Sequence, residues 1–350
     1  MWFLAFESIC VHLCEFAARE IRKDNKNGVA LLIFLVSFSI PFFTFPKVIP
    51  QLEKSKIVGE DLHKSGRPKV AEMGGLVTIT GFIAGIIVVI ALKTFFNHLI
   101  SVNLIGILAV LSTILLIALI GIVDDLILLR KGVKAIIPLF ASFPLVAIKA
   151  GYTAMNIPFV GQVDFGILYS LILIPAGITG AANAANMLAG FNGLEVGMGI
   201  AATVCLAIIA YLTGAVTSFF VLIAALGALI ATFKYNWYPA RVLIGDVGTL
   251  SIGAIAASSV ILGNFEVAGV IIIIPYAVDF VLKAINHFPS KGWEGVYNNG
   301  KLYCPESGPI GFCQLIMKIA GGITERKLVL TFIGMEAIFG IIAVLFYLKI

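Results

Sequence analysis

The chain has 350 residues, 60% of them apolar and only 12% charged, with a formal net charge of +5. A soluble domain carries about a quarter charged residues, so a water-soluble globular protein is excluded: there is too little polar material to cover one. No nucleic-acid partner is expected.

Residues 2–18 place Glu7, His12 and Glu15 among apolar side chains, and residues 19–28 add four basic ones. Residues 1–28 therefore read as an amphipathic segment lying on the membrane rather than crossing it. No basic stretch precedes the apolar residues, so no cleaved leader is expected. Beyond this point apolar runs recur at 29–50, 75–92, 103–123, 135–150, 166–183, 196–214, 217–233, 248–264, 268–285 and 328–348. Each approaches the roughly 20 residues that a helix needs to cross hydrocarbon. Several are rich in Ile and Val, but a backbone in lipid must satisfy its own hydrogen bonds, so helix is favoured over strand. The predicted fold is an all-α integral membrane protein of about ten transmembrane helices, with residues 29–350 forming one domain.

Between these runs lie five loops, at 51–74, 124–134, 184–195, 234–247 and 286–327, which together hold 15 of the 24 Lys and Arg. The opposite loops downstream of the first run hold only Lys93, Lys149 and Lys349. The positive-inside rule places the five in the cytoplasm. The basic residues of 19–28 fall on the outer side and break the pattern. Of the five cysteines, Cys205 is mid-membrane, and Cys304 and Cys313 would face a reducing cytoplasm, so no disulfide framework is expected.

The first loop, GEDLHKSGRPKVAE at 59–72, combines Asp61, His63, Lys64, Arg67, Lys69 and Glu72. It suits either contact with acidic headgroups or closure over a phosphorylated ligand. In the second, Asp124 and Asp125 end a long apolar helix, where the dipole already places negative charge. They need a cation; Arg130, Lys131 or Lys134 could supply it in a merely structural pairing, but acids at a membrane boundary are costly and usually functional. The third, NAANMLAGFNGLE at 183–195, sets Asn183 and Asn186 on one helix face and ends in an Asn192-Gly193 turn. These amides could cap a helix or bind a ligand. In the fourth, NWYPARVLIGD at 236–246, Asp246 stands at a helix start, where it could be a cap. Alternatively it could hold a divalent cation while the adjacent amides hold a phosphate oxygen. Together the loops offer carboxylates and amides for a hard cation such as magnesium, and Lys and Arg for phosphates. The reaction class is phosphoryl transfer at a membrane surface.

These segments, with GPIGFCQLIMKIAGGITERKL at 308–328, resemble the polyprenyl-phosphate N-acetylhexosamine-1-phosphate transferases in order and topology over nearly the whole chain after residue 28. The similarity is greatest to the eukaryotic and archaeal branch that uses UDP-N-acetylglucosamine and dolichyl phosphate. The resemblance implies transfer of N-acetylglucosamine 1-phosphate to the lipid phosphate with release of UMP, the first step of lipid-linked glycan assembly. By the same resemblance Asn186 and Asp246 are magnesium ligands, with manganese able to replace the metal. Lys134 is the phosphate-neutralising cation, and Asp124 and Asp125 form the catalytic pair. Leu62, Glu72, Asn192 and Leu243 line the nucleotide pocket, and Asn183 belongs to the site. The last loop lacks the family's Arg/His cluster, leaving His287, Lys291 and Trp293 as its substitutes for sugar contact. The lipid tail would lie along apolar helices beside the run ending near Ile285. Membrane lipids are expected partners and a homodimer is compatible with the pattern. An archaeal setting, which is favoured, implies the cell membrane; a eukaryotic one implies the endoplasmic reticulum.

Other classes fit less well. A transporter needs charges along a path through the bilayer, and Asp279 is the one acid expected inside a span. The DGxxAR signature of CDP-alcohol phosphotransferases is missing. The same chemistry with another UDP-N-acetylhexosamine stays open.

Overall fold

Because lipid offers a backbone no hydrogen-bonding partners, the apolar runs form helices whatever their β-branched content. The computed structural model describes residues 25–157, 160–289 and 292–348; the segment expected to be amphipathic lies outside them up to residue 24. Helix α1 (Asn25–Lys54) leads into a hairpin of β1 (Val58–Glu60) and β2 (Lys69–Ala71), then α2 (Gly75–Phe95) and α3 (Leu104–Ile127). Three short pieces follow, α4 (Lys131–Ile136), α5 (Pro138–Ala141) and α6 (Phe143–Ala147), then a hairpin of β3 (Ala154–Ile157) and β4 (Gly161–Asp164). A π-helical turn at Tyr169–Leu173 opens into α7 (Ile174–Met187), and α8 (Leu194–Leu212), α9 (Val216–Asn236) and α10 (Gly245–Gly263) come next. The chain closes with α11 (Glu266–Ile272), α12 (Ile274–Ile285), a hairpin of β5 (Val296–Asn298) and β6 (Lys301–Tyr303), α13 (Phe312–Ile319) and α14 (Glu325–Leu348).

Seven of these helices, α1, α2, α3, α8, α9, α10 and α14, are long and apolar enough to cross a membrane. An eighth span arises if α11 and α12, bent by 55° at their junction, count as one. Length and composition therefore support seven or eight spans among the described residues, not ten. The runs at 135–150, 166–183 and 268–285 are interrupted, and each break is followed within two residues by Pro138 or Pro144, Pro175, or Pro275. Proline lacks the N–H that would continue the ladder. It does not decide the matter alone, since α1 runs unbroken through Pro41, Pro46 and Pro50.

Helix α10 is the most enclosed of the long helices, 72% of its apolar window being buried. Lipid tails are as apolar as leucine, so helices associate through close backbone approach and interhelical hydrogen bonds. At Gly75, a Cβ would stand 2.2 Å from the Gly248 nitrogen, so α2 meets α10 backbone to backbone. Thr78 and Thr232 share a 2.9 Å hydroxyl contact between α2 and α9. The enclosed position of α10 makes its amino end, Gly245-Asp246, a rigid platform. One expectation is corrected here: Asp279 is not the only acid within a span, because Glu336 lies wholly buried in α14.

The five polar loops meet at one end of the bundle. Leu243 N donates to Ala71 O at 2.8 Å and Gly74 N to Leu243 O at 2.9 Å, which fastens the first hairpin to the start of α10. The last loop is tied down through Leu302 and Ile323, paired in both directions at 2.7 and 3.0 Å.

Candidate active site

Lys134, on the short helix α4, reaches into the end of α3 and the start of α10 together. Its ammonium lies 2.5 Å from Asp124 Oδ2 and also donates to Asp246 Oδ2. Asp246 Oδ1 accepts from Asn186 Nδ2 at 2.9 Å, bringing the end of α7 to the same point. Burial disfavours the Lys134 charge, but the Asp246 carboxylate and the hydrogen bonds that the ammonium donates to both acids outweigh it, and its pKa rises. The lysine is thus held as a cation. Asn183, one turn before Asn186, donates to Thr179 O at 2.9 Å and to Ala135 O at 3.0 Å, fastening α7 to the residue after Lys134.

The structure separates the adjacent acids that the sequence could not tell apart. Asp124, with its side chain 3% exposed, accepts from Leu129 N at 2.8 Å with Oδ1, closing its own helix, and meets Lys134 with Oδ2. Asp125 points the other way. Its Oδ1 accepts from Asp246 N at 2.8 Å and its Oδ2 from Val247 N at 3.3 Å. It therefore caps α10 from another helix, and the amides expected to bind a phosphate oxygen are already occupied. Gly245 has φ +66°, and a Cβ there would lie 2.6 Å from Asp125 Oδ2. Gly245→Ala is expected to dislodge this cap and turn Asp246 away. Activity should then fall by roughly 10²-fold in membranes that still contain folded protein; near wild-type turnover would show that the cap does not position Asp246.

Glu72 ends the first hairpin beside this centre. Burial, followed by the neighbouring Asp246 charge, raises its pKa. Leu62 and Leu243 are half-buried, the latter locked by its backbone pairing to the hairpin. The expected nucleotide residue Asn192 is 2% exposed and built into a second polar cluster. Its Oδ1 accepts from Ala240 N at 2.6 Å, its Nδ2 donates to Asp61 Oδ2 at 3.1 Å, and its N donates to Glu325 Oε1 at 2.8 Å. His63 stacks on Phe191 with ring centroids 4.1 Å apart, and burial pushes its pKa down to about 4, so the ring is neutral.

The residues put forward in the last loop divide. Trp293 packs over Gly190 and meets His63 edge-on at 6.0 Å. His287 is exposed, and Lys291 lies outside the described residues. The cation that does come in beside the 183–195 loop was missed: Lys283 pairs with Asp279 at 2.8 Å and donates to Met187 O, next to Asn186. Its i, i+4 spacing from Asp279 on one helix face was the available signal. Glu325 was missed too, because a lone acid in the first turn of a helix reads as an ordinary dipole partner.

Asp246 and Asn186 offer a carboxylate and, once the amide nitrogen has donated, a carbonyl oxygen. Asp124 shares the Lys134 ammonium with Asp246, and Asp125 and Glu72 lie close by, so negative charge is in surplus here among the described residues. Oxygen donors with surplus negative charge fit a hard divalent cation rather than a soft one.

The glycosyl transferase family 4 profile matches residues 106–264. A protein of Saccharolobus solfataricus is 38% identical over 90% of this chain and 96% of its own length, and carries the provisional name UDP-N-acetylglucosamine–dolichyl-phosphate N-acetylglucosaminephosphotransferase. The Dictyostelium discoideum protein of that name is 28% identical over 86% of this chain and 88% of its own. A phospho-N-acetylmuramoyl-pentapeptide-transferase of Clostridium perfringens is 28% identical over 74% of this chain and 82% of its own length.

Proposed function

The chain belongs to glycosyl transferase family 4, among the polyprenyl-phosphate N-acetylhexosamine-1-phosphate transferases, and from that premise we propose that it transfers N-acetylglucosamine 1-phosphate from UDP-N-acetylglucosamine to dolichyl phosphate. In this reaction an oxygen of the lipid phosphate attacks the phosphorus that carries the sugar. The bond to the bridging oxygen breaks, and UMP leaves with it. The protein is an integral multi-pass membrane enzyme; we place its loop-bearing end in the cytoplasm, by the Lys and Arg asymmetry.

The observation that carries this reading is the ammonium of Lys134 held between Asp124 and Asp246 beside Asn186. Both substrates are anions, and an acid-rich site repels them unless cations intervene. Asp246 and Asn186 would hold magnesium, which supplies charge neutralisation to the diphosphate when bound. Lys134 contributes a point charge on a flexible stem, able to leave one carboxylate for an entering phosphate oxygen. Asp125 keeps the start of α10 fixed. Asp124 is committed to Lys134 and to its helix end, and no general base is required: a phosphate monoester has its second pKa near 6, so the attacking oxygen is already ionised.

The test is an assay in membranes with labelled UDP-sugars, dolichyl phosphate and magnesium. UDP-N-acetylglucosamine should give a lipid-linked product and UMP, both abolished by chelator and restored by added magnesium. A lipid product formed only from a different UDP-sugar would overturn the substrate, and product formation indifferent to chelator would overturn the metal.

A further inference from the structure

We infer that Lys64, clasped between Asp61 and Glu325, is a positioning residue that holds the nucleotide side of the site in register, an inference that rests on the function proposed above. The Lys64 ammonium lies 3.1 Å from Asp61 Oδ2, is hydrogen-bonded to Glu325 Oε2, and stands 4.2 Å from the centre of the Tyr238 ring. Four chain segments therefore converge on one charge: the first hairpin loop, the turn after α9, the start of α14 and, through both acids, the loop that carries Asn192. Lys64 and Glu325 are 261 residues apart in sequence.

Glu325 divides its oxygens, Oε1 to Asn192 and Oε2 to Lys64, whereas Asp61 meets both partners through Oδ2. Asp61 and Glu325 each give one to Asn192, on its side-chain amide and its backbone N–H respectively, while Lys64 bonds both acids. Asn192 is consequently fixed at three points, counting Ala240 N. An amide has two donors and two acceptor positions, so one N–H and one lone pair remain to meet a ligand. The carboxylates with His63 also bring metal-type donor atoms within 4.8 Å of one another. Lys64 bonds both of these acids, so we assign the role of cation here to the ammonium. The clasp is built entirely from the loop end of the bundle and the first residue of α14, away from the apolar helices that a lipid chain would follow. Its influence should fall on the water-borne substrate and spare the lipid one.

Glu325→Gln keeps the shape and the acceptor toward Asn192 N but removes the charge that secures Lys64. Lys64→Met removes the cation itself. In the full-length chain in membranes, each variant is expected to raise KM for UDP-N-acetylglucosamine about tenfold, with kcat and KM for dolichyl phosphate within about twofold. Inhibition by UMP should weaken by the same factor, since UMP lacks the sugar and would report the nucleotide contacts alone. The double variant should cost less than the sum of the two, as expected for partners in one pair. Equal rises in both KM values, a fall in kcat alone, additive losses in the double variant, or unchanged kinetics in Glu325→Gln would each overturn the clasp. A wild-type protein that makes no product from UDP-N-acetylglucosamine would instead overturn the substrate assignment, a separate result.

Discussion

Replacement of Lys134 by methionine is expected to lower turnover by about 10³-fold, the scale on which the loss of one well-placed electrostatic partner acts in a desolvated site. The ammonium bridges Asp124 and Asp246, whose side chains are 3% and 24% exposed. Methionine fills a similar volume but leaves the two acids facing each other. Removing one member of a buried charged set costs about 3–5 kcal/mol. Lys134 is itself 25% exposed, so a loss of about 1–3 kcal/mol, at the lower end for hydrogen bonds to charge, is the better expectation. Thermal melting of the solubilised protein should therefore fall by only a few degrees while activity nearly vanishes. Lys134→Arg should recover little, because a planar fork cannot replace a point donor between two carboxylates. Initial rates in matched membranes decide the matter. Lys134→Met with a tenth or more of wild-type activity would remove the lysine from the reaction.

Asp246→Asn is the second large effect. The substitution preserves shape, and the backbone N–H at this position still meets Asp125, so α10 should start in the same place. What disappears is the negative charge that balances Lys134 and would hold the metal together with Asn186. Turnover should drop by about 10³-fold, with melting close to wild type. Asn186→Ala should fall nearly as far, since it removes the carbonyl donor and the 2.9 Å bond to Asp246. Raising magnesium by two orders of magnitude should partly restore Asn186→Ala, which keeps the carboxylate, more than Asp246→Asn. Wild-type rates in either variant, or identical magnesium response in both, would argue against a shared metal site.

Membrane class and most residues of the candidate site were legible in the amino-acid sequence because both are local properties. An apolar run reports its own transfer free energy to lipid, and acids or amides at the end of such a run are costly enough to signal purpose. Asp124, Asn186 and Asp246 stand out in this way, Lys134 only through the family resemblance, and the four stand together in the structure. The number of spans was less legible. Apolar content at 135–150 matches that of a span, while the breaks there depend on where proline falls and on whether neighbouring helices satisfy the freed carbonyls.

What tertiary structure alone decided is the division of labour among residues already in view, and the partners they meet. Asp124 and Asp125 are adjacent and chemically identical, and only the packing of α3 against α10 sends one to Lys134 and the other to cap a helix. Asn192 reads as a ligand residue in its turn, yet it is held by an aspartate 131 residues before it and a glutamate 133 residues after it. Lys283, not His287, approaches the 183–195 loop because α12 runs past the end of α7. Such pairings carry no periodic or compositional trace. Their strength depends on burial and on distances of a few ångströms, which arise only when segments far apart in the chain are packed at one end of the bundle.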